Sequence, residues 1–217
     1  MPKCKYKAVI FDFDDTLVET RLIKWEHHKT VAKKFYNIDL SEEVLREHWG
    51  KPFHLLLPEL YQRSDTYENM LIANTSVRSD FLKKVYPGSV NVVTTLLDYG
   101  LKVGLLSAAN QKFVIEDLKR LNFPLECFSA IQGPEDTSVH KPDPNVFLPI
   151  LNKFKKEGIK KEKIVYIGDS LMDLEAAYGA GIDFIAITTG LYSKEDFKKY
   201  GAKIIVKNIK EVIKKVI

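Results

Sequence analysis

The stretch Lys7-Ala8-Val9-Ile10-Phe11-Asp12-Phe13-Asp14-Asp15-Thr16-Leu17-Val18 runs from apolar residues straight into three carboxylates within four positions. Residues 8–11 read as a strand buried on both faces, because their apolar run is unbroken rather than alternating. In extended backbone Asp12 and Asp14 point the same way. Two carboxylates on one side repel, and each raises the other's pKa. Something cationic has to hold them.

Beyond this stretch the pattern changes. Residues 20–86 contain no convincing strand. A helical pattern begins around Leu22, Trp25, His28 and Lys29 and continues through Val31, Ala32 and Phe35. Ser41 before Glu42 and Glu43 reads as a helix cap with acids in the first turn, and that helix should stop at Gly50, with Pro52 just beyond. Further helices are expected over 53–62, with a kink at Pro58, and over 66–85. Tyr86-Pro87-Gly88-Ser89 closes the segment as a turn.

From there strands and helices alternate. Strands are expected at 101–106, 128–131, 163–167, 184–187 and 203–206, and helices at 90–99, 111–121, 144–156, 171–178 and 194–200. Asp143-Pro144 starts one helix as cap and first residue, and Pro149 predicts an irregular beginning there. A closing helix follows Asn208, with Glu211 three residues on. The alternation predicts an α/β fold, a doubly wound parallel-sheet Rossmann-like core with ligands at the carboxyl ends of its strands. The helical segment interrupts that pattern at the ligand end, so an inserted all-helical cap domain is expected at 17–87, with 1–16 and 88–217 forming the core.

Four features fall where strands end. They are Asp12-Phe13-Asp14-Asp15-Thr16, then Ser107 after an apolar strand, then His140-Lys141-Pro142-Asp143, and then Gly168-Asp169-Ser170 with Asp173 three residues on. A parallel sheet brings all four to one edge. Together they supply a nucleophile, a second acid, a small donor, a fixed cation and a metal-binding pair, the inventory for moving a phosphoryl group through a carboxylate. Taken singly, Ser107 is an ordinary strand-end hydroxyl and Lys141 a surface lysine. Asp173 serves equally as a third-position acid behind a Ser170 cap.

The totals narrow the classes. At 217 residues, 45% hydrophobic and 29% charged, the chain can bury a sizeable core. A net charge of +4 is small and gives no reason to invoke nucleic acid. Cys4 and Cys127 stand far apart, which disfavours a disulfide framework or thiolate zinc site and fits a cytoplasmic setting. The basic N-terminus leads only into a strand-length apolar run, so a signal peptide is not expected. No stretch approaches the roughly 20 apolar residues of a membrane span. The five histidines lack zinc-ligand spacing, and Gly179-Ala180-Gly181 ends a helix instead of opening one, so it reads as a cap rather than a dinucleotide loop.

In their order, Asp12-x-Asp14-x-Thr16, Ser107, Lys141 and Gly168-Asp169-(x)3-Asp173 resemble the four motifs of the haloacid dehalogenase-like superfamily. The helical insert is similar to that family's type-1 cap, and the nearest resemblance is to phosphoglycolate phosphatase-like and β-phosphoglucomutase-like members. The resemblance implies a Mg²⁺-dependent phosphatase acting on a small phosphorylated metabolite, as a monomer or weak homodimer. It implies that Asp12 attacks phosphorus and that Asp14 protonates the leaving oxygen and then activates water. It implies Mg²⁺ held by Asp12, the Asp14 carbonyl and Asp169, with Asp173 close by or ligating. Ser107, Thr16 and nearby amides would cradle the phosphate, and Lys141 would neutralise it.

Two positions depart from the pattern. Asp15 stands where glycine is usual; it could bind metal or meet a cap residue, but the expectation is that it faces solvent, with its backbone toward the site. Ala108 follows Ser107 where asparagine is common, so one side-chain donor to the phosphate is expected to be missing, leaving Ser107 and backbone amides to hold it. In the cap, Lys51 and His54 sit where relatives select substrate; they either meet an anionic leaving group or are a solvated lysine and a packing histidine. A phosphomutase, a phospho-receiver switch and a non-catalytic ligand-binding relative are the alternatives. A dehalogenase is disfavoured, because Asp14 supplies an acid that carbon–halogen displacement does not need.

Overall fold

The computed structural model describes residues 4–51 and 53–217. Expectations for residues 1–3 and for Pro52 lie outside the described residues. The chain divides into two compact units, Met1–Glu19 with Lys84–Ile217, and Thr20–Lys83.

The first unit is built on a six-stranded parallel sheet. Its strands are β1 (Ala8–Phe11), β4 (Lys102–Leu106), β5 (Phe128–Gln132), β6 (Ile164–Gly168), β7 (Asp183–Ile187) and β8 (Ile204–Val206), in the order β5-β4-β1-β6-β7-β8. A two-stranded antiparallel ribbon, β2 (Val18–Glu19) with β3 (Lys84–Val85), belongs to the same unit. Helices α5 (Ser89–Asp98), α6 (Gln111–Arg120), α7 (Leu148–Lys156), α8 (Leu171–Ala180), α9 (Lys194–Lys199) and α10 (Ile213–Val216) cover the sheet.

Burial on both faces explains the unbroken apolar run of β1. Val9 and Phe11 enter one core with Val103, Leu105, Val165 and Ile167. Ala8 and Ile10 enter the other with Phe147, Ile150, Phe154 and Tyr166. Every β1 side chain is fully covered, and each large one contributes about 1.5–3 kcal/mol by leaving water. Strand β1 pairs with β4 on one side and β6 on the other. The strand order therefore reverses at β1, which puts the ligand crevice beside its carboxyl end.

The second unit contains α1 (Arg21–Tyr36), α2 (Glu42–His48), α3 (Phe53–Leu60) and α4 (Tyr67–Ser76). Ser41 caps α2 by accepting from the Val44 amide, and Thr66 caps α4 in the same way from Asn69. The interior of this unit is partly polar. The His28 Nδ1 lies 2.9 Å from the Tyr61 hydroxyl, and the Asn74 amide donates to that hydroxyl at 2.9 Å. The His27 Nε2 lies 2.7 Å from the Asn74 carbonyl, and the two imidazoles stack.

Two expectations here are corrected. The helix expected over 66–85 ends at Ser76; a 3-10 turn, Arg78–Asp80, and strand β3 follow. Two-residue strands fall below any periodicity window, so β2 and β3 leave no trace in the sequence pattern. The helix expected to reach residue 62 stops at Leu60, because Gln62 and Arg63 both take left-handed backbone at φ 52°. The irregular start expected at Pro149 is present as a 3-10 turn, Pro144–Phe147, ahead of α7.

Candidate active site

Strand β1 delivers Asp12 to the carboxyl edge, where the Asp12 amide donates to the Ile167 carbonyl at 2.8 Å. The Asp12 side chain is buried. The Lys141 ammonium donates to Asp12 Oδ1 at 2.7 Å, to Asp173 Oδ1 at 2.6 Å and to the Tyr166 hydroxyl at 3.1 Å. Those contacts use all three of its hydrogens.

Asp173 is equally occupied. Its Oδ1 accepts from Lys141 and from the Tyr166 hydroxyl, the latter at 2.8 Å, while Oδ2 accepts from the Ser170 amide at 3.0 Å and the Ser170 hydroxyl at 2.6 Å. Ser170 accepts in return from the Asp173 amide, which completes a capping box at the start of α8. Asp169 contrasts with it. Among the described residues, the Thr16 hydroxyl at 3.3 Å is the donor to its carboxylate.

The electrostatics follow from this crowding. Burial pushes Asp12 up to about 7, against the pull of Lys141 and with added repulsion from Asp173 and Asp14. Loss of solvation raises Asp169 well above the carboxylate range, and Asp12 and Asp173 add to it. Burial opposes the charge on Lys141, but Asp12 and Asp173 outweigh it and hold the ammonium above its ordinary value. One oxygen from each of Asp12, Asp169 and Asp173 lies within 4.8 Å of the others. Three hard carboxylate oxygens so close, one of them poorly supplied with donors, suit a divalent cation such as Mg²⁺.

Thr16 is fully buried beside this cluster. Ser107, Ala108, His140 and Lys141 line one small cavity of about 20 Å³. Ser107 is buried and accepts from the Ala109 amide at 3.0 Å. Asn110 does not stand in for the side chain lacking at Ala108. It caps α6 by accepting from the Lys112 amide, and its own amide donates to Glu135. Asp14 is half-buried and forms an isolated bridge with Val18. Lys51 and His54 lie exposed in the helical unit, and the Lys51 ammonium sits 2.8 Å from His48 Nδ1.

Asp15 is the departure the structure explains most directly. It adopts φ 52°, the left-handed region where glycine is the easy choice. Its carboxylate is buried and accepts from the Tyr86 hydroxyl at 3.4 Å, and its carbonyl accepts from the Thr189 hydroxyl. The solvent-facing side chain expected from the sequence is thereby corrected: the left-handed turn and the Tyr86 contact hold it inside.

Three residues here were not singled out from the sequence: Tyr166, Thr189 and Gly190. A Cβ on Gly190 would come within 1.9 Å of Asp169 Oδ2, so only glycine leaves room for that carboxylate. Thr188-Thr189-Gly190 directly follows an apolar strand, the same signal that marked Ser107 and Asp169. Tyr166 lies inside a buried strand and carries no such signal.

Fold and side chains together define the class: a doubly wound α/β enzyme core with a carboxylate cluster and a buried lysine at the sheet's carboxyl edge. The chain belongs to the haloacid dehalogenase-like hydrolase family, whose model matches residues 9–187. It is 28% identical over 221 residues to a phosphorylated carbohydrates phosphatase of Thermotoga maritima, covering 97% of this chain and 100% of that one. It is 29% identical over 206 residues to a glyceraldehyde 3-phosphate phosphatase of Methanopyrus kandleri, covering 86% of this chain and 85% of the relative. Among solved structures it is similar to a Thermotoga maritima protein provisionally named a beta-phosphoglucomutase, with a TM-score of 0.82, 27% identity, and 97% and 100% of the two chains covered. The findings support the phosphatase and phosphomutase chemistry of this superfamily at a candidate Asp12–Asp169–Asp173 metal site. No helix among the described residues is long and apolar enough to cross a membrane.

Proposed function

We propose that the protein is a Mg²⁺-dependent phosphatase that hydrolyses a small phosphorylated metabolite through an aspartyl-phosphate on Asp12. The observation that carries this reading is the buried Lys141–Asp12 contact at 2.7 Å. A lysine held there opposes the burial that raises Asp12 and neutralises an incoming phosphoryl group. A bound Mg²⁺, held by Asp12, the Asp14 carbonyl and Asp169 with Asp173 alongside, would supply further neutralisation of phosphoryl charge.

The chain's own groups divide the steps. An Asp12 carboxylate oxygen forms a bond to phosphorus as the ester P–O bond breaks, and the protonated Asp14 carboxyl gives its proton to the leaving oxygen. Asp14, now a carboxylate, takes a proton from water. The water oxygen bonds to phosphorus, the Asp12 oxygen departs, and inorganic phosphate is released. Ser107, Thr16 and the amides near Asp14, Asp15 and Ala108 orient the phosphoryl oxygens.

The test is hydrolysis of p-nitrophenyl phosphate. Turnover should require added Mg²⁺ and fall by more than about a thousandfold in Asp12→Asn; wild-type turnover in that variant refutes the nucleophile. The similarity to the provisionally named beta-phosphoglucomutase supports a second reading, a phosphomutase. Interconversion of hexose phosphates in place of their hydrolysis would favour it.

A further inference from the structure

Tyr166 stands in the middle of β6 with its ring fully buried. The ring packs edge-on against Phe147, centroids 4.9 Å apart, and at a tilt against Phe184. Phenylalanine would fill that space equally well. The hydroxyl is the part that packing does not explain.

That hydroxyl closes a triangle. It donates to Asp173 Oδ1 at 2.8 Å, it accepts from the Lys141 ammonium at 3.1 Å, and the ammonium donates to the same Asp173 oxygen at 2.6 Å. A free lysine side chain carries about 2 kcal/mol of rotamer entropy. Here two fixed acceptors leave the ammonium one place, against Asp12 Oδ1. The same contacts, with those of Ser170, fill the acceptor sites of Asp173. Direct ligation by Asp173 would break the α8 cap or the lysine contact, whereas Asp169 gives up only a 3.3 Å hydroxyl contact.

We propose that Tyr166 is a positioning residue: with Asp173, which its hydroxyl and Lys141 occupy, it fixes Lys141 on Asp12. The proposal deepens the phosphatase reading and takes from it the role of Lys141 and the presence of Mg²⁺.

The experiment compares full-length wild type with Tyr166→Phe, Asp169→Asn and Asp173→Asn. Mg²⁺ binding is measured by calorimetry without substrate, and turnover with p-nitrophenyl phosphate. Tyr166→Phe should lower kcat by about tenfold or more while KM stays within about twofold, since a lysine positioned for the transition state acts on kcat. Asp169→Asn should weaken Mg²⁺ by more than about a hundredfold, and Asp173→Asn by about tenfold or less, the size of an outer-shell effect. A wild-type kcat in Tyr166→Phe overturns the positioning role. Equal loss of Mg²⁺ in Asp173→Asn and Asp169→Asn overturns the proposal too, because Asp173 would then serve the metal in place of Lys141 and Tyr166. If the wild type hydrolyses no phosphomonoester, the phosphatase reading fails, and calorimetry on the two aspartate variants still decides which carboxylates hold the metal.

Discussion

The helical unit should lose stability in mild acid because of two stacked histidines. His27 and His28 are each only 2% exposed. Burial lowers His27 from 6.5 to about 4 and His28 from 6.5 to about 3. The hydrogen bonds agree with neutral rings. His27 Nε2 must donate to the Asn74 carbonyl, which leaves a bare Nδ1 that is buried without a partner among the described residues. His28 Nδ1 faces the Asn74 side-chain amide, a donor, so a proton added there would meet another donor. Both pKa values are depressed in the folded state, so below about 6.5 the unfolded chain binds protons that the folded one refuses. Stability is then present above that pH and falls as the pH drops. The full slope is about 1.4 kcal/mol per pH unit for each ring, and the loss between pH 7 and 5 is about 3.5 kcal/mol for the pair. The assay is urea unfolding at several pH values followed by tryptophan fluorescence. The chain's two tryptophans, Trp25 and Trp49, both lie in this unit, so the signal reports on it. His27→Phe, which keeps a ring to stack on Phe81, should roughly halve the slope. A flat profile between pH 7 and 5, or an unchanged slope in His27→Phe, would refute the reasoning.

Two other substitutions test the packing around the site. Gly190→Ala places a methyl 1.9 Å from Asp169 Oδ2, so the carboxylate must move; Mg²⁺ affinity by calorimetry should fall by about tenfold or more, and wild-type affinity would show that Gly190 gives no needed room. Gly104→Ala brings a Cβ within 2.9 Å of Ile150 and 3.0 Å of Phe154; overpacking of this kind costs about 1–3 kcal/mol by urea denaturation, and adding Phe154→Leu should recover part of it.

The catalytic edge was legible because a parallel sheet turns sequence order into position. A polar residue that directly follows a buried strand can only emerge at the carboxyl edge, so Asp12, Ser107 and Asp169 could be assigned to one place without coordinates. Lys141 and Asp173 were reachable by their distance from a strand or helix start. The β2–β3 ribbon was not legible, because two-residue strands are made by partners 67 and 65 positions apart (Val18 with Val85, Glu19 with Lys84) and not by local pattern.

What the chain's order of residues determined by itself was the alternation, the helical insertion and the set of groups at the strand ends. These depend on periodicity and on which residue types follow which. Tertiary structure alone decided how those groups are employed. Asp169 on the turn after β6 and Asp173 in the first turn of α8 are the same residue type four positions apart, yet Asp173 is filled with donors and Asp169 is left short of them. The difference comes from Tyr166 and Lys141, brought to Asp173 by β6 and by the loop ahead of α7, and from the bare backbone of Gly190 beside Asp169. Asp15 likewise reads as an extra charge in one dimension. In three, its left-handed turn and its contacts with Tyr86 and Thr189 make it part of the frame that holds the Asp14–Thr16 loop.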